Sequence, residues 1–114
     1  MNAITTHVLD TAAGRPAAGV PVTLEARDDA GVWREVGRGT TDEDGRLREL
    51  LPPAFALRGG AYRLTFDVAA YFSAQGTEGF YTEVFISFVV RDAGAHYHVP
   101  LLLSPYGYST YRGS

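Results

Sequence analysis

Cysteine and lysine are both missing from this sequence of 114 residues. Without cysteine there is no disulfide, no thiolate nucleophile and no cysteine-ligated zinc, so the core must stand without covalent staples; the lack also leans toward a reducing compartment. All ten basic residues are arginine, so Schiff-base and pyridoxal chemistry have no side-chain amine to use. Charge is sparse as well: 20% of residues are charged and the net charge is -3. The charges are interspersed rather than blocked, which excludes a nucleic-acid face and a polybasic membrane patch. No apolar run approaches the roughly 18 residues of a membrane span. The opening MNAITTHVLD has no basic stretch leading into an apolar one. These absences predict one soluble, unprocessed, cytoplasmic domain over residues 1–114, whose partners are small molecules or copies of itself. A domain of this size buries roughly two-thirds of its unfolded surface, enough for an unstapled core.

What the chain does contain is short-range alternation. Residues 3–10 put Ile4, Thr6, Val8 and Asp10 on one side and Thr5, His7 and Leu9 on the other, which predicts a strand with His7 turned away from the Ile4/Val8 face. TAAGRPAAG at 11–19 reads as a loop. Residues 20–27 and 32–40 predict strands joined by a DDAG hairpin turn, the second carrying the single Trp33. TDEDG at 41–45 predicts a tight turn in which Asp side chains accept from backbone N–H groups and Gly45 takes a positive φ. A short strand over 46–50 follows, and Pro52 and Pro53 stop it. Residues 61–67 predict another strand, 68–75 a helix of about two turns ended by Gly76, and 81–90, 95–104 and 106–112 three more strands. Seven to eight short strands with one short helix and no internal repeat describe an all-β antiparallel β-sandwich. Strands 84–90 and 104–112 carry little charge and no edge-blocking lysine, so they are expected to pair with copies of the chain across two-fold axes.

The chemistry-bearing residues gather near the end, in HYHVPLLLSPYGYSTYRGS. His96 and His98 project together from one strand face, opposite Tyr97, Val99 and Leu101. Such a pair suits a metal ion or acid–base work; no carboxylate stands near in sequence, and His7 would be a distant third ligand. Arg46 and Arg48 share a face after the DG turn, and either reads equally as a solvated charge. Tyr106, Tyr108 and Tyr111 read as strand aromatics. Ser114 brings a hydroxyl and a carboxylate that both accept hydrogen bonds.

DTAAGRPAAGVPVTLE, GTTDEDGRL and GGAYRLTF resemble both small adhesion-type or regulatory sandwich modules and the transthyretin family. The second half separates them: HYHVPLLLSPYGYST resembles the last two strands of transthyretin, and YRGS resembles the signature of the hydroxyisourate hydrolase branch of that family. The resemblance runs from HVLD at 7–10 through DGR at 44–46 to YRGS at 111–114. It implies a transthyretin-like sandwich that opens the lactam ring of oxidised urate by water attack, without cofactor or metal. It selects His7, Arg46 and His98 as catalytic, with Arg46 taken over Arg48 by the DGR motif and His98 over His96 by the second His of HYH. It places Tyr111, Arg112, Gly113 and Ser114 around the substrate. Which histidine is base and which acid stays open. A homotetramer built as a dimer of dimers is implied, with sites in a channel between dimers. The competing readings are an apolar-ligand carrier, which an apolar residue at 7 or 98 would favour, and a non-enzymatic module, which a missing YRGS would favour.

Overall fold

The computed structural model describes residues 3–114; Met1 and Asn2, the first two residues of the expected domain and of the opening stretch, lie outside the described residues. Alternation settles most of the strands. β1 (Ile4–Asp10), β3 (Pro21–Arg27), β4 (Trp33–Thr40), β6 (Gly60–Phe66), β7 (Val84–Val90) and β8 (Tyr97–Ser104) sit where the period-two pattern put them, and β9 (Gly107–Thr110) closes the chain. β7, β8 and β9 are shorter than the expected 81–90, 95–104 and 106–112, and two short pieces differ further. Arg15–Pro16 forms β2 inside the predicted loop, and β5 is only Arg46–Leu47 rather than residues 46–50. β5 stops early because its ladder with β1 holds only Thr6↔Leu47 and His7↔Arg46.

The strands form two sheets, in the order β2-β1-β8-β9 with β5 also on β1, and β4-β3-β6-β7. All pairings are antiparallel except β1 with β8, which is parallel and in register over seven residue pairs, from Ile4↔Tyr97 to Asp10↔Leu103. The inner faces of both sheets meet in one apolar cluster, with Ile4 and Leu101 from the first sheet and Leu24, Leu64, Phe66 and Val84 from the second.

The helix α1 (Val68–Ala74) occupies the β6–β7 connection. Asp67 caps it, accepting from Ala70 N at 3.0 Å, and Gly76 at φ 68° ends it. Tyr71 ties the helix to the first sheet by donating to Asp10 Oδ2 at 2.7 Å. Burial, then that carboxylate bond, pushes the Tyr71 hydroxyl up to about 12. Among the described residues no helix is long and apolar enough to cross a membrane.

One close approach makes a stability prediction. Gly37 in β4 runs against the 50–53 segment, and a Cβ there would overlap the Leu50 carbonyl oxygen. Gly37→Ala is expected to cost about 3 kcal/mol, the upper end of over-packing penalties, because backbone must move rather than a side-chain tip. Denaturant unfolding at fixed protein concentration checks it; a change under about 0.5 kcal/mol would refute the close packing.

Candidate active site

The outer face of the first sheet, which faces away from the core, carries an unusual load of polar side chains. Strand pairing explains how they meet. Across the parallel ladder Thr5 stands opposite His98, and across the β1–β5 ladder His7 stands opposite Arg46. Directly paired residues share a face, and Thr5 and His7 are two apart on one strand, so all four emerge on the same side. A cleft of about 200 Å³ opens there, lined by Thr5, Thr6, Arg46, Arg48, His96, His98 and Ser114.

The turn before β5 fixes where Arg46 starts. Asp42 Oδ1 accepts from the N–H groups of Asp44 at 2.9 Å and Arg46 at 3.0 Å, and Gly45 takes φ 74°, as the sequence predicts. The Arg46 N–H bond, then the other donors and the arginine charges, hold the Asp42 carboxyl below its ordinary value. Gly45 in turn accepts from Val8 N at 2.7 Å, which locks the turn onto β1. Arg48 reaches the same cleft and lies 3.5 Å from Asp42 Oδ2. Its charge is therefore partly answered within the chain.

The three histidines have distinct surroundings. His7 Nε2 lies 2.8 Å from the Asp44 carbonyl oxygen. A carbonyl only accepts, so His7 donates from Nε2 and its Nδ1 is the nitrogen left with a lone pair. His98 is half-buried, with Nδ1 2.8 Å from Thr5 Oγ1; among the described residues its Nε2 has no hydrogen-bond partner. Burial first, then the charges of Arg46, His7 and His96, holds the His98 imidazole below its ordinary 6.5. His96 Nε2 reaches the same Thr5 oxygen at 3.2 Å, with the two rings nearly parallel and their centroids 6.4 Å apart. Among the described residues no group of three His, Asp or Glu stands close enough to hold a metal ion.

The tail divides. Gly113 donates from N to the His98 carbonyl at 2.8 Å, forming a bridge that swings Ser114 into the cleft. Arg112 turns back, its guanidinium 4.6 Å over the Tyr97 ring. Tyr111 is 58% exposed and lines a separate groove of about 250 Å³ with Phe88, Val89 and Val99. Within one chain, then, Arg46, His98 and Ser114 share the cleft, His7 borders it beside Arg46, and Tyr111 and Arg112 face elsewhere. Sequence reasoning passed over Thr5 and set Arg48 aside. The signal for Thr5 was its place on the His7 side of β1, but its contact with His98 depends on strand pairing that alternation does not encode.

Comparison with known proteins follows the same division. The family model described as HIUase/Transthyretin family matches residues 4–113. The chain is 46% identical to a 5-hydroxyisourate hydrolase of Caulobacter vibrioides over the whole of both chains. The solved 5-hydroxyisourate hydrolase of Klebsiella pneumoniae superposes with TM-score 0.83 at 37% identity, covering 97% of this chain and 98% of that one. Sea bream transthyretin in complex with thyroxine superposes with TM-score 0.89 at 31% identity, covering 97% and 94%. Backbone similarity is thus high to an enzyme and to a binding protein alike, and the side chains of the cleft must separate them.

Proposed function

The chain belongs to the HIUase/transthyretin family, and on that premise we propose that it is a hydrolase that opens the ring of 5-hydroxyisourate in urate degradation. The observation that carries this reading is the cleft itself. It joins a half-buried imidazole held neutral near pH 7 to a fixed guanidinium, on a face where a carrier of apolar ligands would present apolar groups.

In the proposed reaction a water oxygen adds to the ring carbonyl carbon while His98 Nε2 takes its proton. Arg46 holds the substrate and stabilises the oxyanion as that carbon becomes tetrahedral. The C–N bond then breaks, the nitrogen receives a proton that His7 Nδ1 takes up from solvent and passes on, and the carbonyl carbon becomes that of a carboxyl group. His7 and His98 sit diagonally on the face, on either side of where a small ring would lie. Ser114 orients the ring from the tail. Neither cofactor nor metal enters the scheme.

The assembly proposed is a tetramer, a dimer of dimers of one domain per chain. β7 and β9 end their sheets, and the groove between them is lined by residues of both edges. Phe80, Phe85, Val89 and Tyr106 stay exposed around it and near the β8–β9 turn. In such an assembly Tyr111 and Arg112 serve the site of a neighbouring chain. We place the protein in the cytoplasm, in keeping with its lack of cysteine.

Decay of freshly made 5-hydroxyisourate, followed by ultraviolet absorbance with and without micromolar protein and with chelator present, tests the activity. Acceleration that survives chelation is expected. Decay at the spontaneous rate, from protein confirmed tetrameric, would pass the question to the carrier reading. The pH profile makes a sharper claim. A depressed pKa keeps His98 a free base below pH 6.5, so the acid limb of kcat/KM is expected below 6.5, and Arg46→Gln is expected to move it upward by removing a positive neighbour. An acid limb above 6.5 in the native protein would remove His98 as the base. The same sign applies to stability: the folded chain resists protonating His98, so this contribution is lost as pH falls from 6.5 through the folded value.

A further inference from the structure

Thr5 is the feature that the hydrolase scheme leaves without a part. Its hydroxyl is 5% exposed as a residue and stands 2.8 Å from His98 Nδ1 and 3.2 Å from His96 Nε2. A hydroxyl has one proton and two lone pairs; accepting from both imidazoles would leave its own proton without a partner among the described residues, so it donates to one nitrogen and accepts from the other. Only two arrangements satisfy both contacts. In the first, Thr5 donates to His96 Nε2, His98 carries its proton on Nδ1 and donates it to Thr5, and His98 Nε2 is a bare lone pair facing the cleft. In the second, His96 donates from Nε2, Thr5 donates to His98 Nδ1, and His98 Nε2 carries the proton. The first is a base toward the cleft and the second an acid.

We propose that Thr5 and His96 are positioning residues that set, and during turnover switch, the tautomer of His98 through a three-member proton relay. This rests on the hydrolase reading above. The step balances in protons. As His98 Nε2 takes the proton of the attacking water, His98 Nδ1–H passes its proton to Thr5 Oγ1, and the Thr5 hydroxyl proton passes to His96 Nε2. His98 ends neutral and protonated on Nε2, His96 ends as imidazolium, and its charge offsets the new oxyanion. The charge thus settles one residue outside the catalytic imidazole, where burial opposes a positive charge less. Once the ring nitrogen has left with its proton from His7, His98 Nε2 gives its proton to solvent and the three shifts reverse.

The groups that bias the relay come from every neighbouring element. They are His7 on β1, Arg46 on β5, Arg48 just after it, and Arg112 of the tail, whose Nη2 lies 3.5 Å from the His96 carbonyl. Burial first, then Arg46, His7 and His96, disfavours a proton on His98. That penalty drives the proton outward.

Nitrogen-15 NMR of the histidine rings in the assembled protein tests this apart from activity. His98 is expected as the Nδ1–H tautomer at neutral pH, and His96 and His98 are expected to titrate as a coupled pair. Thr5→Val, nearly isosteric, is expected to leave the assembly intact, uncouple the two titrations, mix the His98 tautomers, and lower kcat about tenfold with KM little changed, as for loss of one orienting hydrogen bond. Thr5→Ser is expected to recover kcat to within about twofold. Independent titration of the two histidines in the native protein, or His98 signals and a pH profile unmoved by Thr5→Val, would overturn the relay. Should Thr5→Val fail to fold, the native titration decides alone. A native protein that shows coupled histidines without hydrolysing 5-hydroxyisourate would sink the functional reading and leave the relay's geometry standing.

Discussion

Replacing His98 with Ala is expected to slow 5-hydroxyisourate hydrolysis at least about a hundredfold while the fold and assembly persist. A positioned general base contributes roughly a hundred- to ten-thousand-fold, and no second group in the cleft duplicates this one. Arg46 is a fixed cation, His96 Nε2 is engaged with Thr5, and His7 Nε2 is engaged with the Asp44 carbonyl. The structural cost is small because His98 sits on the outer face, outside the apolar cluster, and water entering the cleft can satisfy the Thr5 hydroxyl. Arg46→Ala is expected to give a loss of comparable size through the oxyanion and substrate contacts. Steady-state rates, with circular dichroism and sedimentation as controls, check both. Activity near the native level in both variants would remove the site assignment.

Deleting residues 112–114 is expected to abolish turnover with little loss of folding stability. Every buried apolar residue of the cluster lies at or before Leu103, so the tail carries no core. What it carries is the Gly113 N–H bond to the His98 carbonyl, the Arg112 stack on Tyr97, and Ser114 in the cleft. Gly113→Ala isolates the most demanding of these. A Cβ at position 113 would come within 2.6 Å of His98 Cδ2 and 3.4 Å of the His98 carbonyl oxygen. Either the imidazole rotates away from Thr5 or the bridge opens. The expected result is a fall in kcat/KM of at least about tenfold, the scale of one misplaced hydrogen-bonded group. Thermal unfolding should barely change. A truncated protein that turns over at the native rate would make the tail irrelevant to catalysis.

Much of the architecture was legible because it is local. Period-two alternation in ITTHVLD, PVTLEAR and GAYRLTF fixes which residues face inward, and the burial of Ile4, Val22, Leu24, Leu64 and Phe66 agrees. The DEDG turn was equally readable, since Asp42 and Gly45 act on residues within four positions of themselves. The trimmed β5 was less so, because its length depends on how far a distant strand runs beside it. The candidate site came partly from residue types at HYH and DGR and partly from family resemblance; from alternation alone Arg46 and Arg48 were equivalent, and the structure sets both in the cleft.

The sequence by itself determined the strand faces, the turns, the helix and its stop at Gly76, and an outer polar face carrying His7, His96 and His98, because each follows from neighbours a few residues apart. Only the tertiary structure decided that β1 lies parallel to β8, since nothing in either strand's alternation specifies a partner or a direction. That pairing sets Thr5 against His98 across 93 residues of sequence and gives one hydroxyl two imidazoles. A hydrogen bond needs its atoms within about 3 Å, and no local pattern carries that information across such a distance.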